Sequence, residues 1–188
     1  MIKFCGKFYE NSQLPEVDLP DNAIQYVESD DMKDYGGGLK RVYLYWTASI
    51  LLVVGLILHS WFLIKMGLGV GLSLLAMPLH ELIHVWMYPM KADKFIFKAE
   101  DSMFVTCTAP MSRGRFILMA IMPNIILGII PIILSILFGF ECILYFFGWG
   151  SLGGGWTDYK NIWNTLIQTK RGCTVQNSGI HSFWYMSE

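Results

Sequence analysis

The stretch His80-Glu81-Leu82-Ile83-His84 lies inside an apolar run from Met66 to Met90. The run is long enough to cross the hydrocarbon core of a bilayer, which is about 30 Å thick. Two imidazoles and one carboxylate are costly in hydrocarbon unless an ion, a polar partner or a water-filled cavity compensates them. The stretch therefore predicts a buried polar site on a membrane helix.

The spacing of the polar residues in this stretch is typical of a zinc site. On a helix, His80 and His84 lie one turn apart on the same face, so both rings can bind one metal ion. Glu81 lies beside them, where a carboxylate can take a proton from water. We predict His80 and His84 as zinc ligands and Glu81 as the catalytic base. The alternative is a histidine pair hydrogen-bonded within a helix bundle, with Glu81 as a proton relay.

The composition is typical of an integral membrane protein. Of the 188 residues, 54% are hydrophobic and only 15% are charged, and the mean hydropathy is +0.43. The net charge of −1 and the lack of a basic stripe argue against nucleic acid as a partner. The four cysteines form no CxxC pair, so we expect reduced structural thiols. The expected partner is the lipid bilayer.

Four apolar stretches predict a mostly α-helical, polytopic membrane protein. The expected transmembrane spans are residues 42–64, 66–90, 116–138 and 142–158. Small residues at the start of the second span would let another helix approach closely. Residues 94–108 read as two short strands around a turn, which predicts a small cytoplasmic β-hairpin after the HExxH helix. An exposed strand edge there could hold an extended substrate by main-chain hydrogen bonds.

The charge distribution predicts the orientation in the cytoplasmic membrane. Residues 1–41 are polar and interrupted by prolines and glycines, which indicates a solvated cytoplasmic arm with room for a short strand or helix and without a catalytic role. Residues 42–165 would form the transmembrane domain, and residues 166–188 a polar cytoplasmic tail. With both termini in the cytoplasm, Lys65 is the only one of the 14 Lys and Arg residues on the opposite side.

Asp158 is the predicted third zinc ligand. The second and fourth spans run in the same direction, and His80 and Asp158 both lie about 21–24 Å along them at the usual helical rise. Two histidines, one carboxylate and one water give the open tetrahedral arrangement of catalytic zinc. The alternative for Asp158 is a helix-end carboxylate in contact with water.

The remaining candidates are weaker. Asn124 is an amide inside the third span, and it would either support the substrate carbonyl or make an interhelix hydrogen bond. His59, near the end of the first span, is expected at the membrane interface. Glu100, Asp101 and His181 lie in the hairpin turn and the tail, where solvated roles are expected.

Three segments together carry a resemblance: His80-Glu81-Leu82-Ile83-His84, Pro123-Asn124 and Gly153-Gly154-Gly155-Trp156-Thr157-Asp158. In these segments the chain resembles a known family, the zincin peptidases found among small bacterial membrane proteins, which are similar in plan to site-2 protease-type intramembrane zinc metalloproteases. The resemblance implies His80, His84 and Asp158 as zinc ligands and Glu81 as the base. The site-2 group sets its aspartate directly before a glycine, whereas Tyr159 follows Asp158 here.

The sequence thus predicts a membrane-embedded zinc metallopeptidase. Its substrate would be a membrane-associated protein or peptide, with a zinc-bound water activated by Glu81. The rival hypothesis is a non-catalytic membrane module in which a metal or proton site serves transport or scaffolding. A transporter is expected to show internal repeats, and the four predicted spans show no convincing one.

Overall fold

The structure is a computed structural model that describes residues 1–28, 38–99 and 103–186, with the backbone alone for residues 38–41. The chain forms two compact units. Unit 1 comprises Met1–Gly36, Glu81–Ile121 and Thr157–Glu188, and unit 2 comprises Gly37–His80 and Met122–Trp156. The protein is mostly helical with some strands, as the sequence predicts.

The described elements follow one another as short strands and mostly short helices. The helices are α1 (Gly38–Ile57), α2 (Trp61–Leu75), α3 (Met77–Met87), α4 (Arg113–Asn124), α5 (Ile130–Leu137), α6 (Cys142–Gly154) and α7 (Trp156–Gln168), with a 3₁₀ turn at Asn11–Gln13 and a π-helical turn at Ile125–Ile129. The strands are β1 (Ile2–Lys7), β2 (Ile24–Gln25), β3 (Lys94–Lys98), β4 (Met103–Thr106), β5 (Met111–Ser112), β6 (Thr174–Ser178) and β7 (His181–Tyr185).

The predicted hairpin supplies two of the three strands of the first sheet of unit 1. β3 and β4 pair antiparallel, with Phe95 opposite Thr106 and Phe97 opposite Phe104. β1 adds to β3 in parallel, so the strand order is β1-β3-β4. The predicted turn, with the candidates Glu100 and Asp101, lies outside the described residues.

The second sheet of unit 1 has the order β2-β7-β6-β5 and uses both ends of the chain. The C-terminal segment, expected to be a polar tail, is a β-hairpin, and the N-terminal arm supplies β1 and β2. The hairpin forms because Val175 and Trp184, opposite each other in β6 and β7, are buried. Such a short alternating pattern is hard to recognise in the sequence because most of the neighbouring residues are polar.

A cluster of buried side chains forms a hydrophobic core in unit 1. It draws on the arm, the residue after α3, the β4–β5 segment, α4 and the second sheet. Its members are Tyr26, Tyr88, Cys107, Met111, Phe116, Met119, Cys173, Val175 and Trp184. The cluster therefore packs both chain ends against α4 and the end of α3.

Unit 2 is a helical assembly held by close backbone approach. α2 packs against α1 and α6, and α6 also packs against α5 and the π-helical turn. A Cβ atom on Gly69 would lie 2.5 Å from the carbonyl oxygen of Ile143, and one on Gly67 would lie 2.7 Å from the Leu52 side chain. The small residues predicted to admit a neighbouring helix do so at these two positions.

The prediction of four transmembrane spans is not confirmed. Within the described residues, Arg113–Leu137 is the one continuous helix long and apolar enough to cross a membrane. The second predicted span is the pair α2 and α3, which are bent by 45° at Ala76. The apolar parts of α1 and α6 are shorter, Val42–Ile57 and Cys142–Gly154. Two local backbone features make these helices shorter than predicted. His59, just after α1, has a φ of 50°, and Gly155 ends α6.

Candidate metal centre

The helical repeat of α3 brings the two histidines to the same face of the helix. The helix begins just after the bend, and Pro78 lies in its first turn, where a missing N–H is tolerated. The His80 N–H donates to the carbonyl of Ala76, and the next turns bring His84 onto the same face. Both side chains are buried, at 5% and 7% exposure. The predicted pair is therefore formed on the inward face of this helix.

Asp158 reaches the same place from a different helix. The fourth predicted span breaks at Gly155, so Asp158 lies in the first turn of α7 instead of at the end of a longer helix. There the N-terminal end of the helix dipole favours a carboxylate. Asp158 is 8% exposed, and its Oδ1 lies 3.2 Å from Nε2 of His84.

The three predicted ligands form one cluster. His80, His84 and Asp158 each offer one ligand atom, and these atoms all lie within 4.8 Å of one another. Adjacent ligands of tetrahedral zinc, with bonds of about 2.0–2.1 Å, are about 3.3 Å apart. The His84–Asp158 separation already matches that distance.

A hydrogen bond fixes the orientation of the His84 ring. Its Nδ1 lies 3.1 Å from the carbonyl oxygen of Met119 on α4. A carbonyl can only accept, so Nδ1 carries the hydrogen, and in the neutral ring Nε2 keeps a lone pair. That lone pair faces the Asp158 carboxylate, which is also an acceptor. Two acceptors at this distance require a cation between them, either a proton or a metal ion.

The donor set and its surroundings thus fit zinc. Imidazole and carboxylate are ordinary zinc ligands, and a metal-binding histidine commonly donates its other ring N–H to a backbone carbonyl. Three protein ligands leave a position for water, as in catalytic sites. The sequence does not reveal the role of Met119, because a backbone carbonyl that accepts a hydrogen bond can belong to any residue type.

Glu81 lies next to the ligands on α3 and is only partly buried. It is more exposed than the three ligands, as a base that exchanges protons with water needs to be. Its assignment as the catalytic base stays a prediction.

The other candidates are placed differently. Asn124, at the end of α4, is 1% exposed, and its side-chain amide lies directly against the backbone of Gly155, where a Cβ atom would overlap it. A role at the substrate carbonyl stays a prediction. His59 lies in the turn between α1 and α2. His181 is in β7, where its Nδ1 is 3.8 Å from Oε1 of Glu28.

Comparison with known proteins identifies a family. No curated protein and no solved structure matches the chain. A family profile described as "Putative zincin peptidase" matches residues 73–174, more than half of the chain, and this region contains all three candidate ligands and Glu81. The chain therefore belongs to this zincin peptidase family.

Proposed function

We propose that the protein is a membrane-embedded zinc metallopeptidase that hydrolyses peptide bonds of a membrane-associated protein or peptide. The observation that carries the proposal is the buried cluster of His80, His84 and Asp158, with Glu81 adjacent on α3. Family membership supports the peptidase class. The similarity in plan to site-2 proteases is part of the proposal, supported by an HExxH helix and a distant aspartate.

Each residue in and around the cluster has its own role in the proposed reaction. Bound zinc supplies Lewis acidity, which acidifies a water molecule and polarises the scissile carbonyl. His80, His84 and Asp158 hold the ion, and the Met119 carbonyl keeps the His84 ring in place. Glu81 takes a proton from the attacking water and passes it to the leaving amine.

The exposed surface of unit 2 supports a membrane location. Its helices present large apolar side chains outward along their length, a pattern that would be costly in water and is normal against lipid. These side chains include Ile50, Val53, Leu56, Leu72, Ile133 and Ile136. The continuous apolar helix Arg113–Leu137 is long enough to span a bilayer.

The helices that carry the ligands support the same location. α7 buries its polar residues Asn164 and Thr165 and exposes Trp163 at 62%, the reverse of a helix on a soluble domain. α3 likewise exposes Leu82 and, at 76%, Trp86 on the face opposite its histidines. Exposed tryptophans are typical of the membrane interface. We infer that both outer faces contact lipid.

The proposed orientation has both termini in the cytoplasm and the site near the cytoplasmic leaflet. The distribution of Lys and Arg along the chain supports it. β4 is an edge strand of the first sheet, and its free edge is a candidate for holding an extended substrate segment by main-chain hydrogen bonds.

Metal analysis of variants tests the proposal. The wild-type protein, purified in detergent, is compared with Glu81→Gln and His80→Ala for bound zinc and for cleavage of single-span peptides in the same proteoliposomes. We expect one zinc per chain in the wild type and in Glu81→Gln, no stoichiometric zinc in His80→Ala, and cleavage by the wild type alone.

His181→Ala is the matched control, since it removes a histidine outside the cluster. We expect it to keep both zinc and cleavage. A wild-type protein that takes up no zinc would overturn the proposal. Zinc binding that depends on His80 without any cleavage would favour the non-catalytic metal-binding module instead.

A further inference from the structure

The acceptor of the His84 hydrogen bond is a carbonyl inside a helix. Met119 lies in α4, where its C=O would normally accept the N–H of the residue four places later. Here it lies 3.1 Å from the Nδ1 of His84. Inside an α-helix, one lone pair of such a carbonyl is normally occupied by the N–H of the residue four places later.

The residue four places after Met119 is Pro123, which lies inside α4 and is fully buried. Proline has no N–H, so it removes the helical hydrogen bond that would end on the Met119 carbonyl. The helix also departs from α geometry just beyond, in the π-helical turn Ile125–Ile129. Such departures are frequent at functional sites.

We propose that Pro123 is a positioning residue for the metal centre, acting through the Met119 carbonyl. By withholding an N–H, it leaves this carbonyl to accept the Nδ1–H of His84, which directs Nε2 of the ring toward Asp158. The inference rests on the proposed zinc site and deepens it. The general cost of losing such an outer hydrogen bond is about 10- to 100-fold in metal affinity.

Ring NMR of the metal-free wild type tests the hydrogen bond without reference to zinc. In protein labelled with ¹⁵N-histidine, we expect His84 to keep a hydrogen on Nδ1 that exchanges slowly with solvent. A His84 ring protonated only on Nε2 would overturn the inference. This readout remains available even if no zinc binds, so failure here differs from failure of the peptidase proposal.

Pro123→Ala tests the role of the proline. It supplies an N–H that can bond to the Met119 carbonyl, so we expect the Nδ1–H signal of His84 to move upfield and exchange faster, and zinc affinity to fall about 10- to 100-fold. Pro131→Ala is the matched control, because Pro131 is also buried, in the first turn of α5, but the carbonyl four places earlier belongs to Leu127.

The two proline variants should give different results. The control should leave the His84 spectrum and the zinc affinity unchanged. An unchanged Nδ1–H signal and zinc affinity in Pro123→Ala would overturn the proposal, as would equal losses in both variants. If Pro123→Ala does not fold, the wild-type spectrum decides, because protonation on Nε2 alone excludes the bond.

Discussion

α3 and α7 both contribute to the candidate centre, but they are held in place by different means. On α3, the helical repeat alone puts His84 one turn after His80. On α7, Asp158 depends on contacts from elsewhere in unit 1. The Tyr26 hydroxyl donates to Thr165 Oγ1 at 3.2 Å. The Val27 backbone exchanges hydrogen bonds with the side chain of Gln168, the last residue of α7. Arg113 donates to Leu166 O and to Oγ1 of Thr169, which directly follows the helix.

This difference shows which ligands of a metal site can be predicted from sequence. A ligand pair on one helix leaves a spacing that survives in the chain. A ligand from a second helix leaves only its residue type, because its position is set by the contacts of that helix. The following changes test whether α7 depends on distant contacts more than α3 does.

The largest effect is expected from Asp158→Ala. It removes one of the three proposed ligands, so we expect zinc affinity to fall by more than the roughly 100-fold upper value for a residue outside the ligand set. Competition with a fluorescent zinc chelator measures this. Asn164→Ala is the control, because Asn164 is buried on the same helix but lies outside the metal cluster. Equal affinity in wild type and Asp158→Ala would move the third ligand elsewhere.

The next effect is expected at the start of α7. In Gly155→Ala, the new methyl group would overlap the buried Asn124 side chain, so either that side chain or the backbone just before the turn that carries Asp158 must shift. We expect a loss of about 1–3 kcal/mol of unfolding free energy, typical of overpacking, together with weaker zinc binding. Thermal unfolding and chelator competition measure the two effects.

Gly153→Ala is the matched control for this change. A Cβ atom there meets only Leu44, at an ordinary 3.8 Å, and the position is inside α6. We expect it to stabilise the protein by about 0.5–1 kcal/mol through helix propensity, with zinc affinity unchanged. Similar behaviour of the two alanine variants would show that the start of α7 is not fixed by the Asn124 contact.

The sequence predicts one side of this comparison better than the other. The HExxH pair and the β3–β4 hairpin follow from local spacing, and both form. Asp158 was predicted as a ligand at the end of a long fourth span, but that span breaks at Gly155. Equal depths of His80 and Asp158 in the membrane would require continuous helices. The bend at Ala76 and the left-handed His59 come from backbone conformations that apolar composition does not reveal.

The N-terminal arm shows the same limit. Its polar composition predicted a solvated segment, yet Tyr26 is buried in the core of unit 1 and the Glu28 carboxylate accepts the Ser182 N–H. These contacts have partners more than 130 residues away in sequence. No local pattern encodes such pairs, because each depends on the fold that brings the chain ends together.

Tyr26→Phe tests whether the arm supports α7. Losing the hydrogen bond to Thr165 should lower the unfolding free energy by about 1 kcal/mol and weaken zinc binding slightly, with cleavage retained. The exposed Tyr9→Phe is the control and should change stability by less than about 0.5 kcal/mol. A Tyr26→Phe variant as stable as the control would show that the arm does not hold this helix.

The same residue gives a pH dependence. Burial raises the pKa of Tyr26 from 10.0 to about 12. Because the folded state holds the phenol proton more tightly, this contribution to stability is complete below pH 10 and is lost as the pH rises toward about 12. The slope of unfolding free energy against pH in that window should be shallower in Tyr26→Phe. An identical slope in both proteins would contradict the assignment.

The smallest effect is expected where the N-terminal arm contacts Asp93, in the segment between α3 and β3. Lys3 Nζ lies 2.5 Å from Oδ2 of Asp93, and this ion pair lowers the pKa of the Asp93 carboxyl below its ordinary 3.8. The stabilisation is therefore present above pH 3.8 and is lost as the pH falls through the lowered value. Because both groups are exposed, solvent and salt screen the pair, and its contribution is small.

Asp93→Asn should therefore lower the melting temperature only slightly at pH 7, less so in high salt, and the difference from wild type should shrink as the pH falls below 3.8. Zinc affinity should not change, because the helical repeat of α3 already fixes the spacing of His80 and His84. A zinc affinity that fell with Asp93→Asn as much as with Tyr26→Phe would mean that α3, like α7, depends on the arm, and the contrast between the two helices would be lost.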